Sequence, residues 1–188
     1  VNSEGFEIAV DLSFGNCPQY IQTRDLLWPA NPPAPVATAL PDWDTRSRAL
    51  VARADTFFIA SRAAEMSDDP ADGIDASHRG GRPGFLTIHA DGSLSFPDFS
   101  GNRFFNTLGN IEADGRVGLF IPDFSSGAGI FLTGLATVDW NPDRVARFQG
   151  AERIVDVQPE EIWYCDHALP GPAPLASSWP MLAETGVW

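Results

Sequence analysis

Between Thr56 and Asp166 the chain is a series of short β-forming runs, each cut off by a cluster of Gly, Pro, Asn or Asp. The runs are TFFIAS (56–61), residues 74–79, Phe85–Ile88, SLSFP (93–97), VGLFIPD (117–123), GIFLTGLATVDW (129–140) and RIVDVQPEEIWYCD (153–166), the last supplying one or two strands. β-branched and aromatic residues pack well on a pleated surface, and turn residues between them force the chain to reverse. Asp91-Gly92 is the sharpest such reversal, a two-residue hairpin signal. Strands do not alternate with helices of crossover length, so a parallel sheet is not expected. The pattern predicts a mainly β fold, a barrel or sandwich with helical additions.

Helices are expected at three places downstream of residue 43. Asp44 reads as the N-cap of TRSRALVARA, ending near Ala54. Ser100 reads as the N-cap of an amphipathic helix over 101–112, with Phe104, Leu108 and Ile111 at helical spacing. PDRVARFQG (142–150) reads as a third. Upstream, Phe6, Ile8, Val10 and Leu12 alternate as a half-buried strand over 5–12. Gly15 and Pro18 mark a turn, with a short helix beyond. WPANPPAPVATALP (28–41) reads as a linker or extended arm, because proline disfavours helix in the residue before it. The expected division is residues 1–43 as strand, turn and Pro-rich arm, 44–168 as the barrel, and 169–188 as a Pro- and Trp-containing tail. The chain opens on VNSEGFEIAV, without Met, which suggests a region upstream.

The formal net charge is −13 and the pI about 4.4. Such a surface repels phosphate backbones, so nucleic acid is not an expected partner. The basic residues are all arginine. Without lysine the chain has no amine for a pyridoxal phosphate Schiff base and no Walker-type phosphate lysine. A bound phosphate must be held by arginine, backbone amides and small polar side chains. No apolar run reaches the roughly 20 residues that span a bilayer, and no signal peptide opens the chain, so a cytoplasmic location is expected. Cys17 and Cys165 are read as reduced thiols. Cys165 and His167 lack metal-site spacing. Glu160-Glu161 and Asp68-Asp69 read as solvated charge, and Ser125-Ser126-Gly127 lacks the context of a nucleophile elbow.

Three local signals carry chemistry. Ser100-Gly101-Asn102-Arg103 joins a helix start to an arginine, which suits a phosphate; the competing reading is a capped helix with a solvated arginine. Ser77-His78-Arg79-Gly80-Gly81 lets a backbone approach a flat ring closely; the competing reading is a glycine bulge with solvated Arg79 and Arg82. Phe96-Pro97-Asp98-Phe99 places a proline in a strand, so this strand lies at an edge or ends there, with free backbone groups for a polar ring edge.

Taken together, SHRGG…GF…FPDFSGNRFFNTLGNI…GRVGLFIPDF…LTG resembles the pyridoxamine 5′-phosphate oxidase-like flavin-binding family, and more closely its flavin-nucleotide-binding branch of unassigned reaction. The resemblance covers residues 44–140. Residues 5–24 also look like a segment that longer relatives carry before this barrel. It implies an FMN-binding split antiparallel β-barrel, a homodimer, and flavin mononucleotide (FMN) held in the dimer interface. By position, Asn102 and Arg103 match the family's phosphate pair. Ser77, His78, Arg79 and Gly80 lie on the strand that runs along the flavin, and Phe96, Pro97 and Asp98 match the contact point of the next strand. Two positions depart from the pattern. Phe104 stands where the family has a lysine, and Gly129 where a flavin-contacting glutamine is common. Pyridoxamine 5′-phosphate is therefore expected to be a poor substrate.

The expected function is an FMN-dependent oxidoreductase acting on a small-molecule substrate, with a nicotinamide or another protein as electron donor. The alternative is a non-catalytic flavin- or haem-binding module, with His78, His89 and His167 as candidate axial ligands. A third reading is an interaction domain without ligand.

Overall fold

In the computed structural model, the described residues are 7–10, 15, 17–67, 69, 72–101 and 103–188. Among these residues ten strands carry the architecture: β1 (Thr23–Arg24), β2 (Val36–Leu40), β3 (Thr56–Arg62), β4 (Ile74–Gly80), β5 (Thr87–Ile88), β6 (Leu94–Phe99), β7 (Arg116–Pro122), β8 (Gly129–Asp139), β9 (Ala151–Asp166) and β10 (Leu175–Ser177). Eight of them form one antiparallel sheet in the order β4-β3-β7-β8-β9-β6-β5, with β2 also paired to β9. β1 and β10 make a separate small pair.

β9 organises the sheet. It pairs with β8 along its length, with β6 over Ala151–Val157, and with β2 over Ile162–Asp166. The partner changes around a bulge, where Gly134 faces Pro159 and Thr133 faces Glu161, leaving Glu160 as the extra residue. Pro159 cannot donate to the ladder, and a bulge bends the strand. A Cβ at Gly134 would fall on the Gln158 carbonyl, so glycine lets the backbones approach there.

β4 and β6 are far apart in the sheet order, yet Arg79 on one and Asp98 on the other form an ion pair at 2.8 Å. The sheet is therefore rolled, and side chains rather than a strand ladder bridge its split. This is the split antiparallel barrel. β3 shows the alternation that fills it: Phe57, Ile59 and Ser61 are buried, while Phe58 and Ala60 face outward. Inside, Phe57 meets Phe96 edge-on at 4.8 Å and Phe85 at 5.8 Å, beside Leu94, Ile121, Ile130, Ile154 and Val155.

Among the described residues three α-helices accompany the sheet: α1 (Thr45–Arg53), α2 (Asn106–Ala113) and α3 (Pro142–Val145). α1 begins at Asp44 as expected. The Asp44 carboxylate accepts from the Ser47 amide at 2.7 Å, and the Ser47 hydroxyl accepts from the Asp44 amide, a reciprocal capping box. α2 starts later than the sequence predicted. Arg103 and Phe105 take left-handed backbone conformations, φ 63° and 55°, which a helix through 101–105 cannot contain. Ser100 thus caps no helix, and Phe104 is exposed outside α2.

Other segments differ as well. The Pro-rich stretch is not wholly a free arm, since Val36–Leu40 is a full partner of β9. Of the strand expected over 5–12, residues 7–10 are irregular and exposed, and the rest lies outside the described residues. A turn at Gln19–Tyr20 replaces the short helix expected beyond Pro18. Phe85 and Leu86 fall in a turn, leaving Thr87–Ile88 as the strand. RIVDVQPEEIWYCD falls within the single strand β9. The tail packs back: the Trp188 indole N–H donates to the Phe85 carbonyl at 2.8 Å, and its ring lies 5.1 Å from Phe148. Among the described residues no helix is long and apolar enough to cross a membrane, and both cysteines are free.

Removing the capping carboxylate should be measurable. Asp44→Ala should lower stability by about 1 kcal/mol, read as a shift in the urea midpoint with an unchanged m-value.

Candidate functional site

The split between β4 and β6 opens into a cleft of about 120 Å³. Its walls come from the segments singled out in the sequence: Ser77, His78, Arg79 and Gly80 from β4, Pro97 and Asp98 from β6, and Arg103 from the loop before α2. The first turn of α2 and Arg153 of β9 complete it.

Two expected residues are placed differently. Phe96 is a core residue, 1% exposed, packed on Phe57. Ser100 is exposed, and its carbonyl accepts from the Tyr20 hydroxyl at 3.1 Å. Asn102 lies outside the described residues. The glycines of the SHRGG run are explained by packing of the chain on itself. A Cβ at Gly80 would fall on the Tyr20 carbonyl, and one at Gly81 on the Phe85 ring. Gly129, where the family resemblance led to a glutamine, is similar: a Cβ there would come within 2.5 Å of Phe120 Cε2. The Phe120 ring, stacked on Phe131 at 4.5 Å, occupies that space.

Electrostatics in the cleft centre on Asp98, 5% exposed. It accepts from Arg79 Nη1, and Arg153 Nε lies 3.2 Å from its other oxygen. Arg153 also pairs with Glu152, and its guanidinium sits over Phe105 at 4.9 Å and Trp140 at 5.3 Å. Burial pushes the Asp98 carboxyl above its ordinary range against the pull of both arginines. Glu152 is held low, mainly by Arg153, with Ser100 and Arg103 adding to it. Burial, and then the Arg79 charge, hold His78 below its ordinary value. The imidazole is thus biased to the neutral form, able both to donate and to accept.

α2 opens onto the cleft without a side-chain cap: its N-cap Phe105 makes no such bond, and Asn106, Thr107 and Leu108 line the walls. First-turn amides that lack helical partners carry partial positive charge. The helix start that the sequence placed at Ser100 thus lies several residues later, at Phe105.

Buried polar groups without partners are rare in folded proteins. Among the described residues, seven buried side-chain N or O atoms make no hydrogen bond. Four of them, Asp75 Oδ1, His78 Nε2, Arg79 Nε and Arg153 Nε, belong to residues of this one cleft. Asp75, Thr107, Tyr20 and Arg153 were not found by sequence reasoning. Arg153 could have been noticed as a charge flanking the apolar run Ile154-Val155. The others carried no local signal.

A second depression, about 390 Å³, lies on the outer face of the sheet and is lined by Phe58, Phe120, Phe131 and Trp163. Phe58, Phe131 and Trp163 are each 40–43% exposed. Phe58 meets His78 edge-on at 5.8 Å, so this apolar face runs up to the cleft wall. The remaining histidines sit elsewhere. His89 Nε2 hydrogen-bonds Ser95 at 2.6 Å, and His167 is a turn residue with φ 58°. No group of three metal-binding side chains occurs among the described residues.

The fold is a split antiparallel barrel of the kind the motif implied. Similar solved structures include HupZ from Group A Streptococcus, at 12% identity and TM-score 0.48, covering 64% of this chain and 91% of that one. A candidate pyridoxamine 5′-phosphate oxidase from Lactobacillus delbrueckii is similar at 16% identity and TM-score 0.49, over 66% and 97% of the two chains. A Clostridium acetobutylicum protein related to general stress protein 26, of the pyridoxinephosphate oxidase family, is similar at 11% identity and TM-score 0.43, over 70% and 92%. These neighbours include pyridoxamine 5′-phosphate oxidase-like proteins, the family that the motif resembles. No protein-family model matches the chain, and no curated protein matches it.

The His78 shift fixes a pH dependence. The folded protein resists protonation of His78, whereas the unfolded chain takes up the proton at about 6.5. Stability is fully present above that pH and falls as the solution is acidified below it. Asp98 acts in the opposite sense: its folded carboxyl binds a proton above 3.8, so stability rises as pH falls toward that value. His78→Gln should flatten the melting-temperature profile just below pH 6.5. An identical slope in the variant would show that His78 is not its source.

Proposed function

We propose that the chain binds FMN and is a flavin-dependent oxidoreductase acting on a small molecule. The observation that carries this reading is the convergence of Ser77–Gly80, Pro97–Asp98 and Arg103 on one cleft whose buried Asp75 Oδ1, His78 Nε2 and Arg79 Nε make no hydrogen bond, while Arg153 Nε has only its ion-pair contact with Asp98. The donor set suits FMN. Arg103 and the uncapped start of α2 would hold the phosphate, because backbone amides and a guanidinium favour a dianion. His78, Arg79 and Ser77 would address the polar edge of the ring. Bound FMN supplies two-electron transfer, and the protein positions the ring and excludes water. A nicotinamide or a protein partner would serve as electron donor.

The cleft is too small to enclose the cofactor, since sites that bury a drug-sized ligand run to roughly 300–1,000 Å³. One chain therefore supplies one side of the site. We propose that a second copy closes it through the aromatic face of Phe58, Phe131 and Trp163, which adjoins the cleft at His78. The second reading is a non-catalytic haem-binding module. It rests on His78 Nε2, a buried ring nitrogen without a partner. The absorption spectrum of the purified protein, incubated with each cofactor in turn, separates flavin's two visible bands from a Soret band. A spectrum unchanged by FMN would overturn the flavin reading.

FMN should bind more tightly than riboflavin, measured by quenching of flavin fluorescence. Arg103→Ala should weaken FMN about tenfold, ~1.4 kcal/mol for one partly solvated charge-assisted contact, and leave riboflavin unchanged. Equal affinities of the wild type for both ligands would remove the phosphate site.

Trp163→Glu places a charge on the aromatic face and should convert a dimer to a monomer in sedimentation. A monomeric wild type that binds FMN at full affinity would contradict the shared site.

A further inference from the structure

Asp75 is one of three carboxylates in the cleft, and its situation is unlike that of the others. Asp98 is engaged by Arg79 and Arg153, and Glu152 by Arg153. Among the described residues, no arginine pairs with Asp75. It sits on β4 opposite Ser61, 3% exposed. Its Oδ2 accepts from the Thr107 hydroxyl of α2 and from the Ser77 hydroxyl at 3.0 Å. Thr107 Oγ1 and Ser77 Oγ lie 3.1 Å apart, so strand, helix and carboxylate are locked together. Asp75 Oδ1, by contrast, is buried without a donor.

A carboxylate oxygen out of water and without a donor is costly, and its neighbours hold it there rigidly. Asp75, Ser77 and Thr107 all line the cleft. We propose that Asp75 is a specificity-determining residue of this site, whose Oδ1 accepts a hydrogen bond from a neutral N–H or O–H donor of the bound molecule. The inference rests on the flavin reading and deepens it. FMN offers such donors of two kinds, the imide N–H of the ring and the hydroxyls of the ribityl chain. A ligand that presents an acceptor at this point would leave two lone pairs facing each other and be rejected.

The experiment is a fluorescence titration of the wild type, Asp75→Ala and Asp75→Asn with FMN and donor-deleted analogues. N3-methyl-FMN removes the ring donor, and FMN analogues lacking single ribityl hydroxyls remove the others. The wild type should prefer FMN at least tenfold over one of these analogues, and which one identifies the donor. That preference should disappear in Asp75→Ala. Asp75→Asn, with one acceptor where Asp75 has two, should also lose it and guards against a fold defect in the alanine variant. Circular dichroism reports whether each variant is folded. Equal affinity of the wild type for FMN and every analogue overturns the proposal without any variant. So does an unchanged preference in a folded variant, while the flavin reading stands. A wild type that binds no FMN at all removes the flavin reading, and the inference with it.

Discussion

The long strand β9 and its bend are the constraint on which the rest depends. A single strand that stayed straight could serve only one partner on its free side. By bulging where Gly134 faces Pro159, β9 gives its first half to β6 and its last residues, Ile162–Asp166, to β2, while β8 runs along the other edge. The pairing with β6 brings Arg153 beside Asp98, and the roll of the sheet brings β4 to the same place. The cleft is thus a consequence of how one strand distributes its hydrogen bonds.

The split in the barrel is bridged by charge. Arg79, Asp98, Arg153 and Glu152 form a chain of contacts across it, and the aromatic rings of Phe105 and Trp140 flank Arg153. Buried ion pairs are weak evidence for stability, because desolvation offsets much of their attraction. A site that stores polar groups in a half-satisfied state instead fits a binding role, where a ligand supplies the missing partners. An anion that turned to Arg79 or Arg153 would have to compete with Asp98 and Glu152 for guanidinium groups already engaged. The amides at the start of α2 have no side-chain cap to displace, so a phosphate can reach them without that exchange.

Much of the fold was legible from the sequence because the interactions that set it are local. Asp44 and Ser47 are three residues apart, and their capping box is made within the first turn of α1 itself. Gly92, at φ 84°, makes the β5–β6 turn that Asp91-Gly92 announced. Pro97 marked a strand with one side free, and β5 indeed reaches only Leu94 and Ser95. The failures share a different cause. Helical spacing from Phe104 was real, but left-handed backbone at Arg103 and Phe105 delays α2, and no sequence pattern announces such a conformation in an arginine or a phenylalanine. Val36–Leu40 follows prolines and reads as a spacer, yet the C-terminal half of β9 needs a partner and takes it.

Legible from residue order were the alternation of short strands and turns, the restriction of any phosphate site to arginine, backbone amides and small polar side chains, and the three segments that meet at the cleft. Each follows from residue type or from neighbours a few positions apart. The tertiary structure alone decided which atoms those segments present to one another. It assigned Phe96 to the core, filled the space beside Gly80 with the Tyr20 carbonyl, and gave Gly129 to the Phe120 ring. It also gathered Asp75, Thr107 and Arg153, from β4, α2 and β9, around one cavity. Those placements depend on register and on the roll of the sheet, which arise from hydrogen bonds between residues distant in the chain, and residue spacing carries no record of them.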